Sequence, residues 1–222
     1  MQTEHQDRLI DALRTRRDRI PPGERTRRRI LARAVEIASL EGLEGLTIGR
    51  LAAELSVSKS GLFAHFGSKE ELQLQTIEFA IDRFFDEVIA PVVSVERGRP
   101  RLTAIMEAWT SYVERGVFPG GCFFAAASLE FDGRPGAVRE RVAGALHWWF
   151  AAVQEEIDAA RSLGQFPGEL DSGQLAFELH AAVQEANWGF QMFGKPEWFQ
   201  RARKLIQSTL ARATAGELAI SN

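Results

Sequence analysis

Apolar residues along this chain recur at intervals of three and four and almost nowhere alternate strictly, so nearly every segment is expected to be helical. The first clear stripe runs from about 24 to 41, where Leu31, Val35 and Ala38 share a face beside Ile30, Ala34 and Ile37. Gly42 is placed to end that helix in a left-handed conformation. Thr47 suits the N-cap of a second helix, with Ile48, Leu51, Ala52 and Leu55 at i, i+3, i+4 and i+7. After a break at Ser56-Val57, Ser58 opens a third helix in which Leu62 and Phe66 lie one turn apart, and Gly67 closes it. Ser68 and Glu71 have capping-box spacing at the start of a fourth, whose Leu74, Ile77, Ile81, Phe84, Phe85 and Val88 form one stripe before Pro91.

Beyond Gly98-Arg99-Pro100 the helical patterns lengthen, running near 101–116, 121–131, 135–163, 171–193 and 196–214 between Gly/Pro breaks. All five tryptophans lie in this second part. The expected fold class is therefore all-α, in two parts that share the long fourth helix. Residues 24–70 form a compact unit and 71–222 a larger helical body. Residues 1–23 are an extension, flexible or loosely helical, that Pro21-Pro22-Gly23 separates from the rest.

Charge alters this picture, because it is uneven. The chain is −3 overall, yet residues 8–33 carry ten arginines against Asp11, Asp18 and Glu24, about +7. Residues 81–222 hold 14 basic and 18 acidic groups, or −4. A basic amino end on an acidic body points to a polyanion met by one part only. The single cysteine, Cys122, allows no intrachain disulfide and suits a reducing cytoplasm. No apolar run approaches the roughly 20 residues of a membrane span, and the charged amino end does not read as a signal peptide.

Two short helices across a tight break inside a three-helix unit make either a helix-turn-helix or a plain helical hairpin. The third helix is polar at its tip, with Ser58, Lys59, Ser60 and Gly61, while Leu62 and Phe66 point inward. That division suits a recognition helix whose N-terminal residues meet a DNA groove. The stretch "TIGRLAAELSVSKSGLFAHFGSKEEL" resembles the amino-terminal signature of the tetracycline-repressor (TetR) family of transcriptional regulators, over roughly residues 26–75. The stretch "GCFF…EFDGRPGAVRERV" is similar to carboxyl-terminal segments in part of that family.

The resemblance implies that the third helix enters the major groove of a pseudo-palindromic double-stranded operator. Ser58, Lys59, Ser60 and Gly61 would then make base or close backbone contacts, with Thr47, Phe63, His65 and Lys69 along the phosphates. Arg28, with Arg25, Arg27 and Arg29, can add backbone contacts, feed an arm into the minor groove, or simply be solvated. Two positions depart from the family pattern: Ser56 stands where glycine is usual in the turn, and Phe63 where tyrosine is frequent.

The resemblance also implies a carboxyl-terminal part that dimerises and houses an inducer pocket. One stripe of 171–193 holds Leu175, Leu179, Ala182, Val183, Ala186 and Phe190, and another holds Phe177, His180, Gln184, Trp188 and Gln191. The first, with Trp198, Ala202, Leu205, Ile206 and Thr209, can form half of an intersubunit four-helix bundle in a homodimer, or lie in the protomer's own core. Trp109, Tyr112, Phe124, Phe131, Phe150, Phe177, His180, Gln184 and Trp188 are candidates for a pocket taking an apolar or aromatic inducer, and equally for ordinary core.

The function read from these features is a DNA-binding regulator, a repressor released by a small ligand. The alternative is a regulator gated by a protein partner, with close packing instead of a cavity among Trp109, Phe124 and Trp188. An enzyme is the remote reading. The four histidines and one cysteine show no metal spacing, and neither a phosphate loop nor a nucleophile elbow appears, so no catalytic residue, metal or cofactor is expected.

Overall fold

A computed structural model describes residues 22–217, and they are all-helical with no strand among them. The amino-terminal unit comprises α1 (Pro22–Glu41), α2 (Ile48–Leu55) and α3 (Lys59–Phe66). Helix α4 (Lys69–Phe84) leads into the larger body, which adds α5 (Arg99–Glu114), α6 (Phe123–Phe131), α7 (Ala137–Ser162), α8 (Ser172–Phe193) and α9 (Glu197–Thr214). Most of the extension expected over 1–23 lies outside the described residues; α1 itself begins at Pro22, before the expected start at 24.

Local chemistry accounts for the short helices. The hydroxyls of Thr47, Ser58 and Ser68 each accept a hydrogen bond from the backbone N–H three residues on, at 3.0, 3.1 and 3.0 Å. The box expected at Ser68 is only half made. Glu71 accepts from Gln75 Nε2 instead (2.5 Å), while the Ser68 N–H donates to the Phe66 carbonyl (2.8 Å). Leu51, Leu62, Phe66 and Leu72, each at most 3% exposed, pin the unit to α1 and α4. On the outside, Arg50 binds Glu41 (2.6 Å) and Glu54 (2.8 Å), and Arg33 joins Glu54 from α1.

Helix α4 does not stop at Phe84. Pro91 lacks the N–H that would continue the regular ladder, and the backbone widens into a π-turn over Phe85–Ile89 in which the Ala90 N–H bonds the Phe85 carbonyl. A 3-10 turn, Ala90–Val92, follows. The wider turn swings the neighbours Phe84 and Phe85 toward one interior space, a use to which π-turns are often put.

The two parts are joined by specific polar contacts. Glu130 of α6 accepts the backbone N–H groups of Leu43 (2.7 Å) and Glu44 (3.0 Å), in the loop after α1. The buried Gln73 of α4 donates to the Leu43 carbonyl of the same loop (2.8 Å). Before α6, the Gly120 N–H donates to Ser39 Oγ (3.2 Å), and a Cβ at Gly120 would stand 1.7 Å from the Ser39 carbonyl oxygen, so only glycine fits there.

Ser56, at the turn between α2 and α3, has φ 54° and ψ 41° and is the one non-glycine residue with positive φ among those described. That conformation costs an L-residue about 1–2 kcal/mol, part of which glycine forfeits through unfolded-state entropy. Ser56→Gly should therefore raise the unfolding free energy by about 0.5–1 kcal/mol in a urea titration; a destabilised variant would show that the serine side chain supports the turn.

Candidate DNA-reading helix and ligand cavity

Helix α3 presents a polar tip on an apolar root. Leu62 and Phe66 are buried, whereas Ser58, Lys59, Ser60, Gly61, Phe63 and His65 are all exposed. The sequence places those six on one short element because the helical repeat returns only residues 62 and 66 to the core. Ser58 Oγ caps Gly61 and also accepts from Ser60 Oγ (3.3 Å). The Lys59 side chain folds back over Gly49, where a Cβ would meet its Cε at 3.4 Å. Phe63 is 57% exposed and the nearby Val57 49%, an apolar strip beside the polar tip that the pattern analysis did not single out at Val57.

The other candidates of this group are already engaged. Thr47 lies at the start of α2, its hydroxyl bound to the Arg50 N–H. Lys69 Nζ is 2.5 Å from Glu44 Oε1, and Arg134 approaches the same carboxylate at 3.7 Å. Lys69 is the main reason the Glu44 carboxyl sits below its ordinary pKa. Arg28 faces Asp82 of α4 at 4.0 Å, and Arg27 Nε donates to Gln75 Oε1 (3.2 Å).

In the body, α4 with its π-turn, α5, α6, α7 and α8 line a half-open cavity of about 320 Å³. Four of the nine pocket candidates line it: Trp109, Phe124, His180 and Gln184. Their neighbours on the wall are mostly aromatic. Phe84 meets Trp149 edge-on (centroids 5.2 Å) and Phe124 likewise (6.0 Å), and Trp109 lies 4.8 Å from Trp149. Glu78, Asp82 and Arg141 form the charged part of the wall, and Arg141 Nη2 bonds Glu78 Oε2 at 2.8 Å across α4 and α7.

Five candidates lie elsewhere. Tyr112 is buried against Phe84 (5.4 Å) and Phe118 (6.0 Å), its hydroxyl without a partner, and Phe131 packs under Arg134. Phe150 stands behind the wall, 4.5 Å from the His180 ring. Phe177 and Trp188 are 61% and 49% exposed on the outer face of α8. Of the wall contributed by α4 and α7, the helical stripe of α7 offers Leu146 and Trp149 as lining candidates, and both are on the wall. The stretch from Glu78 to Phe85 and the charged Arg141 carry no separate signal in the sequence. Its aromatic members read as core stripe, and the Glu78–Arg141 pair joins residues 63 apart.

The second stripe of α8 is split, with His180 and Gln184 on the cavity and Phe177 and Trp188 facing outward, while most of the first lies inside the protomer. Leu175, Leu179, Val183 and Ala186 are at most 2% exposed within one protomer, as is Thr209 of α9, with Ala202 and Ile206 nearly so. They fill the protomer's own core. Phe190 packs on Phe199 (4.9 Å), and Trp198 presses on Gly189, where a Cβ would lie 2.3 Å from its ring. The large apolar side chains left exposed are Phe177, Trp188, Met192 and Phe193 on α8, with the small Ala181, and Leu205 on α9, the last 51% accessible.

His180 is the polar centre of the cavity's inner end. Trp149 Nε1 donates to its Nδ1 (3.2 Å), which fixes the neutral tautomer with the proton on Nε2, and burial pushes its pKa down to about 4. Cys122, also on the wall, is a buried free thiol whose pKa burial raises. Among the described residues no three His, Cys, Asp or Glu side chains converge as metal ligands, and no helix is long and apolar enough to cross a membrane.

With this architecture in place, two family descriptions match the chain: "Bacterial regulatory proteins, tetR family" over residues 30–76 and "Tetracyclin repressor-like, C-terminal domain" over 98–206. The chain belongs to the TetR family of transcriptional regulators, and is a DNA-binding regulator rather than an enzyme. A curated relative, the HTH-type transcriptional activator FasR of Mycolicibacterium smegmatis, is 31% identical over 99 residues, a match spanning 45% of this chain and 45% of that protein. A TetR regulator from Chloroflexus aurantiacus J-10-FL shares the fold with a TM-score of 0.78 at 23% identity, over 86% of this chain and 96% of that one. AibR, solved with isovaleryl coenzyme A and operator DNA, does so at 0.65 and 22%, over 82% and 96%.

The His180 environment has a measurable consequence. Unfolded, this imidazole titrates near 6.5, and folded near 4. As pH falls from 6.5 toward 4 the unfolded chain therefore binds a proton that the folded chain refuses, and stability drops; above 6.5 the contribution is complete. At about 1.4 kcal/mol per unit the loss reaches roughly 2 kcal/mol at pH 5. His180→Gln should lack this increment, seen as a smaller change in urea midpoint between pH 7.5 and 5 than in the natural chain; equal changes would contradict it.

Proposed function

We propose that the chain is a homodimeric, ligand-responsive repressor. Helix α3 of each protomer reads half of a pseudo-palindromic operator, and a small apolar molecule in the cavity releases it. The observation that carries this reading is the double engagement of α4. Glu78, Ile81, Asp82, Phe84 and Phe85 wall the cavity. Gln73, Gln75 and Asp82 of the same helix bond the loop after α1 and α1 itself. A ligand that favours one setting of α4 therefore favours one setting of α3, which is how differential affinity becomes a population shift. The cavity itself weighs against the partner-gated reading, which requires close packing beside Trp109 and Phe124.

On DNA, Ser58, Lys59, Ser60 and Gly61 would face base edges, and Thr47, Phe63 and His65 the backbone. Lys69 and Arg28 would join by leaving Glu44 and Asp82, half-exposed pairs of the kind that contribute only about 0–1 kcal/mol and yield to a phosphate. The second protomer would cover the exposed Phe177, Ala181, Trp188 and Met192 of α8 and Leu205 of α9, since so many large apolar side chains left to solvent on two paired helices mark an association site. This reading replaces the buried stripe by these exposed residues as the intersubunit face. Its partner being chromosomal DNA, the protein would work in the cytoplasm. Repression rather than activation is read from release by ligand; placing the operator upstream of, or across, a promoter in a transcription assay separates the two.

Selection from random duplexes should return two half-sites about one helical turn apart, with affinity falling steeply as salt rises. Lys59→Ala with Ser60→Ala should weaken the selected site at least tenfold, about 1.4 kcal/mol, without changing dimer mass in sedimentation. Unchanged affinity would remove α3 from the reading surface.

A further inference from the structure

Resting on that ligand-gated reading, the geometry points to the chemistry of the ligand: a small uncharged molecule with a ring-bearing apolar body and one hydroxyl- or amide-type group that both donates and accepts a hydrogen bond. Two buried polar atoms on the wall have no partner, Trp109 Nε1 and Gln184 Oε1. Trp109 is 2% exposed, and the group beside its indole N–H is the Cys122 thiol, a weak acceptor that leaves room for a stronger one. Gln184 lies one turn from His180, whose ring is 5.0 Å from that of Trp109, and all three residues line the cavity. Buried polar groups are nearly always satisfied, and each orphan is costly unless something else meets it. One orphan donates and the other accepts. A hydroxyl or an amide answers both, whereas a carboxylate only accepts and an ammonium only donates.

Charge on the wall points the same way. Its ionised groups are Glu78, Asp82 and Arg141, one net negative charge with His180 neutral. The Arg141 guanidinium already holds Glu78, so an anion could pair with it only by displacing that carboxylate or by setting a second negative charge beside it. A cation would have to compete with Arg141 for Glu78 and, in the protein free of DNA, with Arg28 for Asp82. Volume sets the size. About 320 Å³ equals roughly ten waters at about 30 Å³ each, near the lower end of small-molecule sites, and suits one ring with a short chain.

The test is calorimetric titration of the full-length dimer with four compounds of one shape: 4-propylphenol, propylbenzene, 4-propylbenzoate and (4-propylphenyl)trimethylammonium. The phenol should bind at least tenfold more tightly than propylbenzene, and the two ions more weakly than the phenol. Gln184→Leu and Trp109→Phe each remove one orphan while keeping apolar bulk. Either should bring the phenol's affinity within about threefold of propylbenzene's in the same variant, with unchanged helix content and dimer mass reporting an intact fold. An ion that equals or exceeds the phenol overturns the inference, as does a phenol preference that survives both substitutions. Failure of all four to bind overturns it together with the ligand-gated reading. Phenol binding that leaves operator affinity unchanged supports the inference and rejects the gating alone.

Discussion

Helix α4 must satisfy two environments at once, and the rest of the molecule is arranged around that constraint. Its first turns are committed to the three-helix unit through Gln73 and Gln75, and its last turn and π-turn to the cavity through Phe84 and Phe85. Asp82 belongs to both, facing Arg28 while lining the cavity. A packed helix moves as a body, because interiors at crystal-like density shift between discrete arrangements rather than deform smoothly. On the proposed reading, an event at one end of α4 is felt at the other.

A second strut joins the same two parts. Helix α6 begins with Phe123, Phe124 and the wall residue Cys122, and near its end Glu130 holds the N–H groups of Leu43 and Glu44. Gly120 and Gly121 permit this closeness. A Cβ on the first would strike the backbone of Ser39, and one on the second the Asn187 side chain, which itself accepts the Cys122 N–H (2.9 Å). Two helices thus touch the cavity and the α1 end of the DNA-reading unit, which restricts how α3 can move when the cavity fills.

Much of this was legible in the sequence because it is local. Thr47, Ser58 and Ser68 announce their helices through bonds that close within three residues, and Gly42 and Gly67 end theirs with positive φ. Ser56 was recognisable as a misfit by its residue type, and its left-handed backbone bears that out. The candidate cavity was less legible. Helix α8 is apolar nearly all round, so periodicity finds two stripes and cannot say which one turns inward; Leu175 and Phe177 are equally good core residues until α9 and α5 are in place. Nor does spacing reveal Glu78 beside Arg141, or a π-turn that brings Phe84 and Phe85 to the same wall. These are products of tertiary packing, and they supply most of what the cavity can recognise.

The central claim is that the state of the cavity sets operator affinity, and it can be tested without knowing the ligand. Ala145 of α7 lines the cavity, and Ala145→Trp fills it with a covalent substitute for a bound molecule. The measurement is the affinity of the substituted and natural dimers for one selected operator at one salt concentration. The account predicts binding at least tenfold weaker in the substituted dimer, with its mass and helix content unchanged. Equal affinity from a folded, filled dimer would contradict it.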